Sequence, residues 1–369
     1  MLNQKNKKIV IATGTFPPEI SGQATFVSNL IKELPSEIKT VVIAYGKKNE
    51  SRKKNIFIIK RNFWRYFNYW WRLKNEAKDA EIIYAQDLVS SGLPAALAKR
   101  KNNKLIVRIG GDFLWEKMVN SGKCEVPFSQ YYDQPKSLRE NFYLAIYRFV
   151  FSKSDGIIFN SFWQKEIYLK FFKIKPEKIV VIENPLLIFA DDNFQYQPNW
   201  ERKEIIFAGR FIPLKNLKRL IKAFKNIKTD KKLVLIGAGP QKQELKELAE
   251  DDERIAIEPP MSREALWLRL KSAYLVVLPS LSEMNPNLAL EAMALLRPVV
   301  LTKENGLQDE FKTGCKLIDP LSPESIKSAI EYFLDEKNYN DFSSKIKNSG
   351  VFNSWEDVIS KHLEIFESL

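Results

Sequence analysis

Short apolar runs of strand length recur along the chain, each closed by a small or polar turn. Lys8–Thr13 (Lys-Ile-Val-Ile-Ala-Thr) reads as a buried strand and runs into the turn Gly14–Gly22. Ala24–Leu34 then places Phe26, Val27, Leu30, Ile31 and Leu34 on one helical face. Further strands are expected at 40–45, 56–60, 81–85, 104–109, 156–160 and 179–182, with helices between most of them. Strands that alternate with helices predict a parallel, doubly wound sheet. A polar, irregular stretch at 190–203 reads as a link. The alternation then resumes, with strands expected at 204–208, 232–236, 254–258, 274–278 and 298–301. Helices are expected near 215–227, 240–250, 263–272, 287–296 and 322–335, and a last one over Ser354–Leu369. The pattern is α/β, with two Rossmann-like domains facing a cleft, over 1–187 and 188–353. The last helix, 354–369, is expected to return to the first domain.

Length and composition agree: 369 residues, 45% hydrophobic and 28% charged, suit two globular domains. The apolar runs are too short to cross a bilayer as helices. No hydrophobic leader follows Met1, and Cys124 and Cys315 fit no metal or redox spacing, so a cytoplasmic protein is expected. One histidine, His362, leaves little room for histidine catalysis or a histidine-rich metal site. The charge is uneven. Residues 1–185 carry 32 Lys and Arg against 17 Asp and Glu, and the remainder 26 against 28. The whole positive excess therefore sits in the first half, which points to an anionic partner there.

Candidate chemistry gathers where strands end. Phe207-Ala-Gly209-Arg210 leads to Lys215 and a helix, and Leu235-Ile-Gly237-Ala-Gly239-Pro240 leads to another. Glycines admit close backbone approach, and helix starts favour phosphate. Arg210 and Lys215 could neutralise a diphosphate, or begin a solvated basic helix with Lys218, Arg219, Lys222 and Lys225. Later, Tyr274–Leu278 leads through Pro-Ser-Leu-Ser to Glu283, and Glu291 follows about two helical turns on. Two glutamates so spaced are common on solvated helices, but beyond a strand end they can reach different parts of one extended ligand.

Gly209-Arg210, Lys215, Glu283 and Glu291, in this order, resemble the retaining GT-B glycosyltransferases of the glycogen-synthase-like class (glycosyltransferase family 4, group 1). Gly14–Leu30, Gln86–Pro94, Arg108–Asp112 and Val181–Pro185 resemble it too. The resemblance covers most of 8–320. It implies a nucleotide-sugar donor, UDP- or GDP-linked, held mainly by the second half, with neither cofactor nor metal. Arg210 and Lys215 would hold the diphosphate, Glu283 the sugar hydroxyls and Glu291 the ribose. Gly22 would bring its backbone to the phosphate from the first domain. Gly209, Gly237, Gly239, Asn287 and Leu288 complete the donor set, and Asp112 is the candidate for contact with the reacting sugar. Transfer would be front-face, with a donor phosphate oxygen as base. Three positions depart from the family. Met284-Asn285-Pro286 replaces a glycine-rich turn, Gly110 stands where many members carry histidine, and Pro259-Pro260 replaces a frequent glycine. Asp112 also fits a helix N-cap before Phe113. Rival activities on the same parts are a GT-B epimerase or phosphorylase, or a non-catalytic nucleotide-sugar or membrane scaffold.

Lys60–Lys74 holds five basic residues, seven aromatics and no acid. Such a segment suits an anionic membrane surface, and the inner face of the plasma membrane is the expected location. A glycan or lipid-linked acceptor would fit it. The alternative is a helix that packs Phe63, Phe67, Trp70 and Trp71 on the sheet. Stacking on nucleic acid is the least favoured partner.

Overall fold

The computed structural model describes residues 7–19, 21–52, 55–186, 201–346 and 353–369. The first series of elements runs β1 (Lys8–Thr13), α1 (Gly22–Glu33), β2 (Lys39–Gly46), β3 (Glu50–Arg52), β4 (Ile56–Lys60), α2 (Arg65–Glu76), β5 (Ile82–Ala85), α3 (Gly92–Ala98), β6 (Lys104–Ile109), α4 (Phe113–Asn120), α5 (Phe128–Tyr131), α6 (Leu138–Lys153), β7 (Gly156–Phe159), α7 (Phe162–Phe171) and β8 (Ile179–Val181). The second runs β9 (Glu204–Arg210), α8 (Leu217–Lys225), β10 (Lys232–Ala238), α9 (Lys242–Ala249), β11 (Ile255–Glu258), α10 (Arg263–Lys271), β12 (Leu275–Leu278), α11 (Asn287–Ala294), β13 (Val299–Thr302), α12 (Asp309–Lys312), β14 (Cys315–Ile318), α13 (Pro323–Phe333), α14 (Glu336–Ile346) and α15 (Trp355–Ser368).

The first eight strands form one sheet in the order β3-β4-β2-β1-β5-β6-β7-β8, parallel except where β3 pairs with β4. The last six form a second, wholly parallel sheet in the order β11-β10-β9-β12-β13-β14. In each, the chain winds outward from a central strand and then reverses, β1 beside β5 and β9 beside β12. Such a reversal opens a crevice at the carboxyl ends of the two strands, where ligands of open α/β sheets bind. Both sheets are covered on two faces, as the continuous apolar runs require. Ile205, Phe207, Leu233 and Leu235 face one cluster with α8 and α13, and Ile206, Val234 and Ile236 face another with α10 and α11. In the first sheet Ile9, Ile11, Val42, Ile82 and Tyr84 face α1 and α15.

The chain divides into two compact units. One comprises 1–114, 135–185 and 353–369; the other comprises 115–134 and 186–352. α15 lies in the first unit, with the Trp355 and His362 rings tilted against Phe26 and the Tyr84 hydroxyl 2.9 Å from His362 Nε2. Residues 115–134 group with the second unit, whereas the sequence pattern places them in the first. Within that unit the Phe128 amide donates to Ser282 Oγ, and Trp115, Phe128 and Tyr131 are buried. The expected link falls largely on 187–200, outside the described residues. The expected strands appear with ends shifted by a residue or two; β3 and β14 are additions. The helix expected from 215 starts at Leu217, because Pro213–Lys215 form a 3-10 turn and Asn216 is left-handed (φ 58°).

Candidate functional site

In the second unit the turns after β9 and β12 flank the reversal and are tied together. The Leu281 amide donates to Leu214 O (3.0 Å). Asn216, buried, donates through Nδ2 to Pro279 O (2.9 Å) and Pro320 O (2.7 Å). Asparagine tolerates the left-handed backbone here better than most residues, so one residue both turns the chain and clamps it. The clamp brings Lys215 Nζ within 2.6 Å of Glu283 Oε1, which also accepts from Ser280 Oγ at 2.5 Å. Glu283 itself is fixed by its backbone: its amide donates to Glu304 O, and its carbonyl accepts from Gly306 N, both at 2.9 Å. Glu283 Oε2 has no hydrogen-bond partner among the described residues. Arg210 ends β9 with its side chain exposed and no ion pair among the described residues. Lys215 and Glu283, assigned from the sequence to the adjoining diphosphate and sugar of a donor, are thus in contact.

Residues 115–134 brace the turn after β9, the turn after β13 and helix α8. Asn120 Oδ1 accepts from the Leu214 amide (3.3 Å), Ser129 Oγ donates to Glu304 (2.5 Å), and Glu125 pairs with Arg219 (2.8 Å). Neither this brace nor Asn216 and Ser280 was legible as part of the site. Their only signal is an asparagine and a serine at strand-end turns, which is common.

Glu291, on the first two turns of α11, is buried and pairs with Arg263 at the start of α10. Burial raises its carboxyl above the usual range, and the Arg263 guanidinium opposes that rise. The sequence signal for Arg263 is weak: a cation in a helix's first turn works against the helix dipole and so hints at a partner. Asn287 opens α11 and is exposed; Leu288 follows, half-buried.

The glycines divide by cause. A Cβ at Gly237 would lie 1.9 Å from Gly209 O, and one at Gly239 would lie 2.3 Å from Phe211 O. Both positions are small because the protein's own backbone crosses there. Gly209 would set a Cβ 3.1 Å from the Phe207 ring. In the first unit Gly22 differs, because a Cβ there meets nothing within 4 Å. It opens α1, whose N-cap Ser21 accepts from the Ala24 amide (3.0 Å), and nothing in the fold demands glycine.

Asp112 departs from expectation. It is wholly buried and accepts from the Tyr168 hydroxyl (2.6 Å) and the Tyr147 hydroxyl (3.3 Å). Tyr147 in turn accepts from the Leu114 amide (3.0 Å). The tyrosines come from α6 and α7, elements far along the chain, so sequence could not show that they enclose it. As placed, Asp112 holds α6 and α7 to the end of β6. Among the described residues no cluster of three or more His, Cys, Asp or Glu is placed to hold a metal ion. None of their helices is long and apolar enough to cross a membrane.

Two Rossmann-like units, each with its reversal crevice, make this a GT-B protein. The chain belongs to the glycosyltransferases: residues 20–186 match the family described as Glycosyltransferase Family 4, and 189–349 match Glycosyl transferases group 1. An uncharacterised glycosyltransferase of Methanocaldococcus jannaschii is 25% identical over 266 residues, 67% of this chain and 66% of that protein. The lipopolysaccharide 1,2-N-acetylglucosaminetransferase of Salmonella typhimurium is 29% identical over 194 residues, 47% of this chain and 51% of that protein. The chain thus spans about two thirds and about half of these relatives. The structure of Anabaena HepE in complex with UDP and glucose shares the fold over 98% of this chain and 100% of that one (TM-score 0.74, 14% identity).

Proposed function

We propose that this glycosyltransferase moves a sugar from a nucleoside diphosphate sugar to a glycan or lipid-linked acceptor, with retention at the anomeric carbon and without a metal. The observation that carries this reading is the Lys215–Glu283 pair at the reversal of the second sheet, with Arg210 exposed at the end of β9 and in no ion pair among the described residues. Arg210 and Lys215 are cations of the type a leaving diphosphate needs. Glu283 Oε2 is a spare acceptor for a sugar hydroxyl. Glu291, with Arg263, would meet the ribose, and Gly22 would bring its backbone to the phosphate. Asn287 and Leu288 would supply the start of α11, and Gly209 the close approach at β9.

The chemistry follows from charge. The bond from the anomeric carbon to the diphosphate oxygen breaks, and its electron pair leaves with the diphosphate. The acceptor oxygen bonds to the same face of that carbon, and its proton passes to a donor phosphate oxygen. Negative charge grows on the diphosphate as the bond stretches, so prepositioned cations stabilise the transition state more than the ground state. Glu283 pairs with Lys215, and a bound diphosphate would share that ammonium. Support for the donor class comes from the UDP in the HepE structure, and for the acceptor class from the lipopolysaccharide transferase. An anionic membrane beside 60–74 is part of the same reading, as is placement at the inner face of the plasma membrane.

The test is turnover of UDP- and GDP-sugars with acceptor present and excess chelator added. Lys215→Ala is expected to lower kcat about a hundredfold, the scale of one preorganised electrostatic contact. An unchanged rate removes Lys215 from the mechanism. Loss of activity with chelator overturns metal independence, and an inverted product anomer overturns retention. Epimerised donor without transfer, or donor binding without nucleotide release, would favour an epimerase or a scaffold.

A further inference from the structure

Helix α2 meets the first sheet through Tyr69, Leu73 and Ala77, all buried. Tyr69 donates its hydroxyl toward Ile43 O (2.8 Å) and Thr13 O (3.2 Å) and stacks on Tyr45. The remaining aromatics of the segment turn outward. Phe63 is 88% exposed, Trp64 63%, Phe67 56% and Trp71 55%, and only Trp70 is half-buried. Core packing therefore does not account for these side chains.

The patch does not end with α2. Helix α2 packs on α3, and α3 packs on α6, so the three form one layer over the sheet. On the outer side of that layer Leu97 of α3 is exposed, as are Leu138 (92%) and Phe142 (65%), one turn apart on α6. Helices in a parallel β/α sheet run opposite to the strands, so their first turns lie at the carboxyl edge. Phe63 and Trp64 immediately precede α2, and Leu138 and Phe142 open α6. The most exposed apolar groups thus share the edge that carries the Gly14–Gly22 turn.

Exposed cations lie around them. Lys60, Lys74, Arg139 and Arg148 are exposed, and Arg65 lies over the Tyr66 ring. The acids nearby are engaged: Glu76 by Arg72 and Lys8, Glu140 in its capping box with Ser137, and Glu19 by Arg61. Tryptophan and tyrosine with a cationic rim suit the headgroup region of an anionic bilayer. A second copy of the chain would bring the same cations against each other in a two-fold contact, which disfavours self-association.

We infer that the outer face of α2, α3 and α6 docks into the headgroup region of an anionic membrane, with the carboxyl edge of the first sheet beside the lipid. Access to a lipid-linked acceptor is the use this gives the docking, and that use rests on the function proposed above. Docking itself needs no substrate. The experiment is co-sedimentation of the full chain with vesicles of phosphatidylcholine alone or enriched in phosphatidylglycerol, with brominated lipid to quench tryptophan. Binding is expected for the anionic vesicles, weakened by salt and with quenched emission. Trp64→Ser, Phe67→Ser and Trp71→Ser together should lower the partition constant about tenfold or more. Leu138→Ser with Phe142→Ser, a separate variant on α6, should lower it as well. Both variants should keep the wild-type melting temperature and the thermal shift caused by donor. Absence of vesicle binding, or equal binding by both variants, overturns the inference. So does a wild-type dimer in sedimentation velocity that the triple variant dissolves while vesicles are ignored. Vesicle binding without any donor response would leave the docking intact and sink the proposed function.

Discussion

Lys215 and Glu283 are 68 positions apart, and Asn216 decides that they meet. Its side chain bonds two carbonyls from loops after other strands, while its backbone takes a left-handed turn that ends the 3-10 segment. Asn216→Ala removes both bonds and leaves the carbonyls of Pro279 and Pro320 without that donor. It is expected to cost about 1–3 kcal/mol in denaturant unfolding and to reduce turnover by loosening Lys215. Wild-type stability and rate would show that the clamp is dispensable. Gly237 makes a different point. The motif reads as a ligand loop, but the neighbouring carbonyl of Gly209 fills the space a side chain would need. Gly237→Ala should therefore destabilise the protein by about 1–3 kcal/mol whether or not donor is present. A loss of donor affinity at unchanged stability would return that glycine to the site. Asp112 depends on packing that the sequence does not display. Its place after β6 is visible in the sequence, but its burial between Tyr147 and Tyr168 is not.

At the scale of elements, amphipathic pattern located helices well but did not choose their inner face. In α2 and the two residues before it, nearly every position from Phe63 to Leu73 is aromatic, aliphatic or long and basic. Several faces could have packed, and the contact with Thr13, Ile43 and Tyr45 selected Tyr69. β14 is not legible in the sequence because Cys315-Lys-Leu-Ile lacks a clear period; pairing with β13 makes it a strand. α15 was legible as a helix, and its home in the first unit is a matter of contacts. It buries Val358, Ile365 and Phe366 in that core, and a side chain at Gly156 would come within 3.0 Å of Ile365. Removal of 354–369 exposes this apolar surface. The truncated chain is expected to aggregate or to melt well below the full one. An unchanged melting temperature would mean that the helix adds nothing to the first unit.

For the molecule as a whole, the lone histidine ties stability to pH. His362 is buried between Tyr84, Phe26 and Phe366, with Arg108 as the nearby cation, and desolvation lowers its pKa to about 4. The unfolded chain takes up that proton near the ordinary value of about 6.5. Stability from the neutral ring is therefore complete above about pH 6.5 and is lost as pH falls toward 4. Melting temperature should fall across that window, and His362→Gln should flatten that part of the decline. A slope identical in both proteins would place the acid sensitivity elsewhere. By itself the sequence determined the α/β alternation, the two-sheet organisation, the glycosyltransferase family and the cationic bias of the first half. These depend on local periodicity, composition and short motifs, which survive in one dimension. Tertiary structure alone decided that Lys215 touches Glu283, that Arg263 joins Glu291, that 115–134 packs in the second unit and that Tyr69 of α2 faces the sheet while Phe67 and Trp71 face outward. Each of those depends on which distant backbone fills a given space, and packing settles that only when the whole chain is folded.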